Sequence, residues 1–154
     1  MDMPIPNATI IDRRQSIVSG LLSILPQDAV ISDPTETRAY ECDALTAYRT
    51  RPLAVILPRS TAEVAAALAY LHRERVPVVA RGAGTSLAGG ALPTEDAVLL
   101  GLARMNGVLE TDYENRFIRV EAGRTNLSVT GAVEADGRQA VLREQRTQFL
   151  FGLA

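Results

Sequence analysis

Apolar residues gather in short clusters along this chain, and the spacing within each cluster predicts an element. Ile17, Val18, Leu21, Leu22 and Leu25 recur every three or four positions, which describes an amphipathic helix beginning near Arg13 and stopped by Pro26. Residues 1–12 are polar and broken by Pro4 and Pro6, so a loose lead-in is expected there. Ser32, Asp33 and Pro34 put a cap and a proline at a helix start, and a short helix is expected over 35–40. Residues 40–52 show no period. They read as an ordered loop, either a surface connection whose tyrosines seal the core edge or an approach to a ligand.

Residues 54–57 are continuously apolar and end at Pro58, as in a strand buried on both faces. Ser60 and Glu63 have capping-box spacing and open a helix to about Arg75, with Val64, Leu68 and Leu71 as its buried stripe and Ala65 and His72 beside it. Residues 76–80 follow as a second buried strand. Strand, helix and strand in this order predict a right-handed parallel crossover that delivers the next loop to the carboxyl end of the sheet, where open α/β folds bind ligands. Residues 97–102 form a third apolar run, and 104–107 carry a turn. Residues 108–111 and 117–121 alternate apolar with polar and are joined by 112–115, which predicts an antiparallel hairpin with one wet face. A helix then begins at Thr125 and Asn126, turns Val129 and Val133 inward and ends at Asp136 and Gly137. Residues 138–154 have mixed charge and no period.

The candidate chemistry lies in the loop after the second strand. Gly82, Gly84, Gly89 and Gly90 can take positive φ or admit an anion close to successive N–H groups, Thr85 and Ser86 add hydroxyl donors, and Arg81 adds a cation. The bland alternative is a glycine-rich turn that binds nothing. A Walker loop is excluded, because it needs a lysine and all sixteen basic residues of the chain are arginine. The Rossmann fingerprint fits poorly, since Leu87 stands where its third glycine belongs and Ala91, Leu92 and Pro93 replace the following helix. What remains is a loop that grips a diphosphate through backbone and hydroxyl donors with no helix behind it.

Composition narrows the picture further. The chain has 154 residues, 47% of them hydrophobic and 22% charged, which suits one soluble globular domain. No apolar run reaches the roughly 18 residues of a membrane helix, and the first residues lack the basic and apolar regions of a secretory signal. A cytoplasmic protein, peripheral to a membrane only through partners, is therefore expected. A net charge of −2 with scattered arginines offers no footprint for nucleic acid. Cys42 is the single cysteine, which excludes an internal disulfide and a cysteine metal cluster; it reads as a small buried or half-buried side chain. His72 is the single histidine and lies on a helix rather than in the loop, so it reads as structural or solvated, not catalytic, and no metal site is expected.

These residues resemble the FAD-binding subunit of glycolate oxidase and the FAD-linked D-lactate and D-2-hydroxyglutarate dehydrogenases of the vanillyl-alcohol-oxidase type. The resemblance rests on three segments: Tyr40-Glu41-Cys42-Asp43 with residues 47–52, Val76-Pro77-Val78-Val79 with residues 81–93, and Gly123 with Thr125-Asn126-Leu127. It implies an α+β FAD-binding domain of the PCMH type, whose first subdomain has a small parallel sheet with helices and whose second subdomain is incomplete here. The implied division is a helical lead-in over 1–47, a partial FAD-binding domain over 48–137 and an unmatched tail over 138–154. Gly82, Ala83, Gly84, Thr85 and Ser86 would hold the FAD diphosphate, Arg81, Gly89 and Gly90 would shape the loop, Pro58 would line the cofactor from the neighbouring strand end, and Met105 would touch the flavin side. With no histidine in the loop the flavin is expected to be non-covalent. Family members oxidise a 2-hydroxy acid, such as glycolate or D-lactate, to the 2-keto acid with hydride transfer to flavin. In the family a second glycine-rich stretch and a substrate cap domain with the catalytic residues follow, and residues 138–154 depart from that continuation. The chain is therefore expected to be an N-terminal fragment without catalytic residues of its own. The alternatives are a non-catalytic FAD or nucleotide-binding remnant, or a helper subunit, that needs a partner chain such as another subunit of a glycolate oxidase complex.

Overall fold

The computed structural model describes residues 4–134. Its elements in chain order are α1 (Ala8–Asp12), α2 (Arg14–Ile24), β1 (Val30–Ile31), α3 (Pro34–Thr37), β2 (Ala54–Ile56), α4 (Thr61–Arg73), β3 (Val78–Arg81), β4 (Val98–Gly101), β5 (Val108–Asp112), β6 (Phe117–Val120) and α5 (Asn126–Glu134). The tail expected over 138–154, and the helix end expected at Asp136 and Gly137, lie outside the described residues.

The three apolar runs become three parallel strands, but not in sequence order. Val55 of β2 and Val79 of β3 both pair with Leu99 of β4, and β1 adds an antiparallel edge by pairing Val30 with Ile56, so the sheet order is β1-β2-β4-β3. The two interior strands are the fully buried ones: Ala54, Val55 and Ile56 of β2 and Val98 and Leu99 of β4 have no exposure. The crossover through α4 therefore links two strands that flank β4 rather than touch. The expectation of a second fully buried strand fails for β3, whose Val78 and Val79 are half-buried and Ala80 exposed. With β4 on one side only, β3 is a sheet edge. The two-residue β1 has no period of its own and was not foreseen.

Helices α2 and α4 cover the sheet. Ile17, Leu21, Ala67 and Leu71 pack in one cluster with Ala54, Ile56, Val98 and Leu100, so the lead-in residues share the core of the sheet. The two helices meet at Gly20, where a Cβ would lie 2.0 Å from the Tyr70 hydroxyl, and that hydroxyl donates to the Ile17 carbonyl at 3.3 Å. Seating Tyr70 there turns α4 so that Ala67 faces inward and Leu68 is 40% exposed. The inner stripe is thus Val64, Ala67 and Leu71, a correction to the stripe read from spacing, and Leu22 of α2 is likewise exposed.

The helix caps follow the sequence closely. Ser60 Oγ accepts the Glu63 N–H at 3.2 Å, and the Glu63 carboxylate accepts the N–H of Arg59, one residue ahead of the cap, at 2.8 Å. Asp33 caps α3 by accepting from Thr35 N–H at 2.7 Å, and a 3-10 turn over Arg38–Tyr40 continues that helix. The lead-in is not loose throughout: Asn7 caps α1 by accepting the Thr9 N–H, its own N–H donates to Asp96, and Ile10 is buried. Five residues are too few to show a period. The hairpin forms as expected, β5 against β6 with Asp112 opposite Phe117, and makes a second sheet separate from the first; the single wet face expected of it is not seen, since Val108, Leu109 and Phe117 are all exposed. Val129 and Val133 are the buried residues of α5, also as expected.

Candidate functional site

Because β2, β3 and β4 are parallel, their carboxyl ends share one edge of the sheet. Pro58 follows β2, the glycine loop follows β3, and Met105 follows β4, so the fold brings the three groups of candidate residues to that edge. They are not equally open. Pro58 and Met105 are buried, and Pro58 belongs to the strand next but one to β3 rather than to its neighbour. Met105 is bonded through its backbone in both directions, donating to Leu102 O at 2.9 Å and accepting from Gly123 N–H at 2.8 Å.

The loop itself is open. Gly82, Ala83 and Thr85 are exposed, and Leu87 is 74% exposed. Among the described residues, none of the main-chain N–H groups of residues 82–87 has a protein acceptor, nor does the Thr85 hydroxyl have a partner. Ser86 Oγ accepts the Ala88 N–H at 3.2 Å, and Gly89 O accepts from Leu92 N–H. A Cβ added at Gly82 or Gly90 would meet nothing within 4 Å. Gly84 and Gly89 have φ of +73° and +74°, a conformation that side chains with a Cβ strongly disfavour. A run of unpaired donors on a glycine-bearing turn is an anion-binding arrangement.

Arg81 shapes this loop from below. Its guanidinium donates to the carbonyls of Cys42 at 2.7 Å and Tyr40 at 3.4 Å, and stands 5.8 Å from the Tyr40 ring centroid. A Cβ at Gly84 would lie 2.3 Å from the same guanidinium. Ala44 N–H donates to Gly84 O at 3.0 Å, and Leu45 lies 3.7 Å from the Cβ position of Gly89. The loop over 40–45 thereby clasps the glycine loop, a contact between segments about forty residues apart that the sequence pattern did not reveal. One local signal was available: Asp43 two residues before Leu45 suits an Asx turn, and Asp43 Oδ1 does accept the Leu45 N–H at 2.9 Å.

A cleft of about 450 Å³ lies beside the amino end of β2, lined by Arg14, Glu41, Arg49, Arg51, Leu53 and Glu95 among others. Much of its charge already serves the protein: Arg14 donates to the carbonyls of Leu53, at 2.9 Å, and Ser32, and Arg49 pairs with Glu41 at 3.1 Å. His72 is exposed on α4 and Cys42 is half-buried. Among the described residues no cluster of histidine, cysteine and carboxylates could hold a metal ion, and no helix is long and apolar enough to cross a membrane.

Residues 52–148 match the family model described as an FAD binding domain. The chain is 48% identical over 120 residues to the glycolate oxidase subunit GlcD of Escherichia coli K12, covering 78% of this chain and 24% of that protein. It is 41% identical over 71 residues to a D-lactate dehydrogenase of Archaeoglobus fulgidus, covering 46% of this chain and 16% of the other. Its fold matches that of p-cresol methylhydroxylase with substrate bound, with a TM-score of 0.73 at 18% identity, over 86% of this chain and 26% of that one. The fold is thus the type seen in p-cresol methylhydroxylase, and the chain spans about a quarter or less of the length of these relatives.

Proposed function

The chain belongs to the FAD-binding domain family, and on that premise we propose that it grips the diphosphate of FAD in an oxidoreductase acting on a 2-hydroxy acid such as glycolate or D-lactate. The observation that carries this reading is the row of N–H groups over 82–87 without protein acceptors. The open space at the Cβ positions of Gly82 and Gly90 fits the same ligand, because a diphosphate must approach the backbone more closely than a side chain would permit. Gly82, Ala83, Gly84, Thr85 and Ser86 hold the anion, Arg81, Gly89 and Gly90 set the loop's shape, and buried Pro58 and Met105 support the edge on which the cofactor lies. The attachment is non-covalent, since residues 81–90 include no histidine or cysteine. When bound, FAD supplies the acceptor for the hydride that leaves the 2-hydroxy acid as it becomes the 2-keto acid.

A second reading has its own support. The chain contains no lysine and its one histidine is exposed on α4, so neither of these bases stands at the glycine loop to take the hydroxyl proton. On this reading the chain holds the cofactor, and turnover requires further polypeptide. Partner subunits fit this picture, since the Escherichia coli relative is itself named as a subunit; the working place we assign is cytoplasmic, peripheral to the inner membrane through such partners. Flavin absorbance on the purified chain, followed by dye reduction with glycolate or D-lactate, tests both readings. Bound flavin with turnover supports an enzyme, bound flavin without turnover supports a cofactor-holding portion, and binding of ADP but never FAD defeats both.

A further inference from the structure

Asp43 is 5% exposed, and its two carboxylate oxygens differ. Oδ1 accepts the Leu45 N–H at 2.9 Å, whereas Oδ2 is buried and has no hydrogen-bond partner. A buried carboxyl oxygen without a hydrogen-bond partner is costly and uncommon, and calls for one. The position of Asp43 indicates where that partner comes from. The residue before it accepts from Arg81 at the base of the glycine loop, and the residue after it donates to Gly84 near the loop's apex. Asp43 is therefore wedged against the very segment whose N–H groups lack acceptors.

We propose that Asp43 Oδ2 accepts a hydrogen bond from a hydroxyl of the bound nucleotide, a sugar or ribityl hydroxyl adjoining the diphosphate. This rests on the reading that residues 81–90 hold FAD. The chemistry divides the ligand between two kinds of protein group. Amides take the phosphate oxygens, which are acceptors only; a carboxylate cannot bond to those oxygens but suits the neighbouring hydroxyls, which are donors. Carboxylates on sugar hydroxyls beside an amide-bound diphosphate are a recurrent solution to dinucleotide recognition.

The test compares two probes on the 154-residue chain, FAD and inorganic pyrophosphate, titrated into wild type and Asp43→Asn. Asparagine keeps an oxygen for the Leu45 N–H but removes the charged acceptor. The expected result is about a tenfold loss of FAD affinity, with pyrophosphate bound at least as tightly as before because a nearby negative charge has gone. Equal losses for both probes would mean that Asp43 only holds the loop, and unchanged FAD affinity would mean that Oδ2 meets no hydroxyl; either overturns the proposal. Failure of the wild type to bind FAD instead removes the underlying reading. Should the variant not fold, the wild type is titrated with FAD analogues lacking one ribose or ribityl hydroxyl at a time. A tenfold weakening for one analogue upholds the proposal, and no weakening for any overturns it.

Discussion

Glycine serves opposite purposes on two sides of the same sheet edge. At Gly123 a Cβ would fall 2.0 Å from the carbonyl oxygen of Leu102 and 2.8 Å from that of Met105, so the missing side chain lets two backbone segments of the protein touch. At Gly82 a Cβ would meet nothing, and the N–H groups around it have no acceptor among the described residues. One glycine admits another backbone segment, and beside the other no described residue stands within 4 Å. Hydroxyls and carboxylates divide in the same way. Ser60 is bonded within its helix cap while Thr85 is free, and Asp96 is bonded to Asn7 while one oxygen of Asp43 has no partner.

The contrast can be broken most decisively at its packed end. Gly123→Val should destabilise the chain by about 3 kcal/mol or more, because both colliding atoms are backbone and cannot swing aside. Urea unfolding measures it, and a midpoint near that of wild type would show that the segments can separate freely. Gly82→Val is the matching change at the open end. We expect about 2 kcal/mol of lost FAD affinity, roughly thirtyfold, with apoprotein stability changed by less than about 1 kcal/mol. If flavin titration shows full affinity, the space beside Gly82 does not hold the ligand. Gly84→Val is a mixed case, since its side chain would strain the backbone and strike Arg81.

Smaller effects sharpen the same division. Ser60→Ala should cost about 1 kcal/mol of stability through the lost cap and leave FAD affinity intact, whereas Thr85→Val should leave stability intact and weaken FAD severalfold. A variant pair that lost both properties together would erase the distinction. The weakest expected effect is that of pH on Asp96. Burial acts to raise its pKa, but hydrogen bonds from the Thr94 side chain, the Asn7 N–H and its own backbone outweigh burial and hold it below the ordinary carboxylate value. With the folded value depressed, its contribution is present above the unfolded value and lost as pH falls through the folded one. Stability should therefore fall on this account as pH drops below the ordinary carboxylate value, and Asp96→Asn should flatten that part of the curve. A variant with an unaltered acid limb would show that the Asn7 contact contributes nothing.

Reading the chain alone located most elements, because caps and breakers act within a few residues. Ser60 with Glu63, Asp33 before Pro34, and the turn between β5 and β6 all form where local chemistry places them. The glycine loop was legible for the same reason. A helix of five residues and a strand of two were not, since periodicity needs length to show itself.

What sequence alone determined was the inventory of parts: where most helices and strands lie, and which loop carries the glycines and the two hydroxyls. Tertiary structure alone decided that β4 lies between β2 and β3, that Tyr70 turns Ala67 rather than Leu68 inward, and that the loop over 40–45 closes on Gly84 through Arg81. Each of these depends on contacts between residues far apart in the chain. Steric fit and hydrogen bonding across such distances leave no mark in local spacing, because many partners satisfy the same pattern until the whole core is assembled.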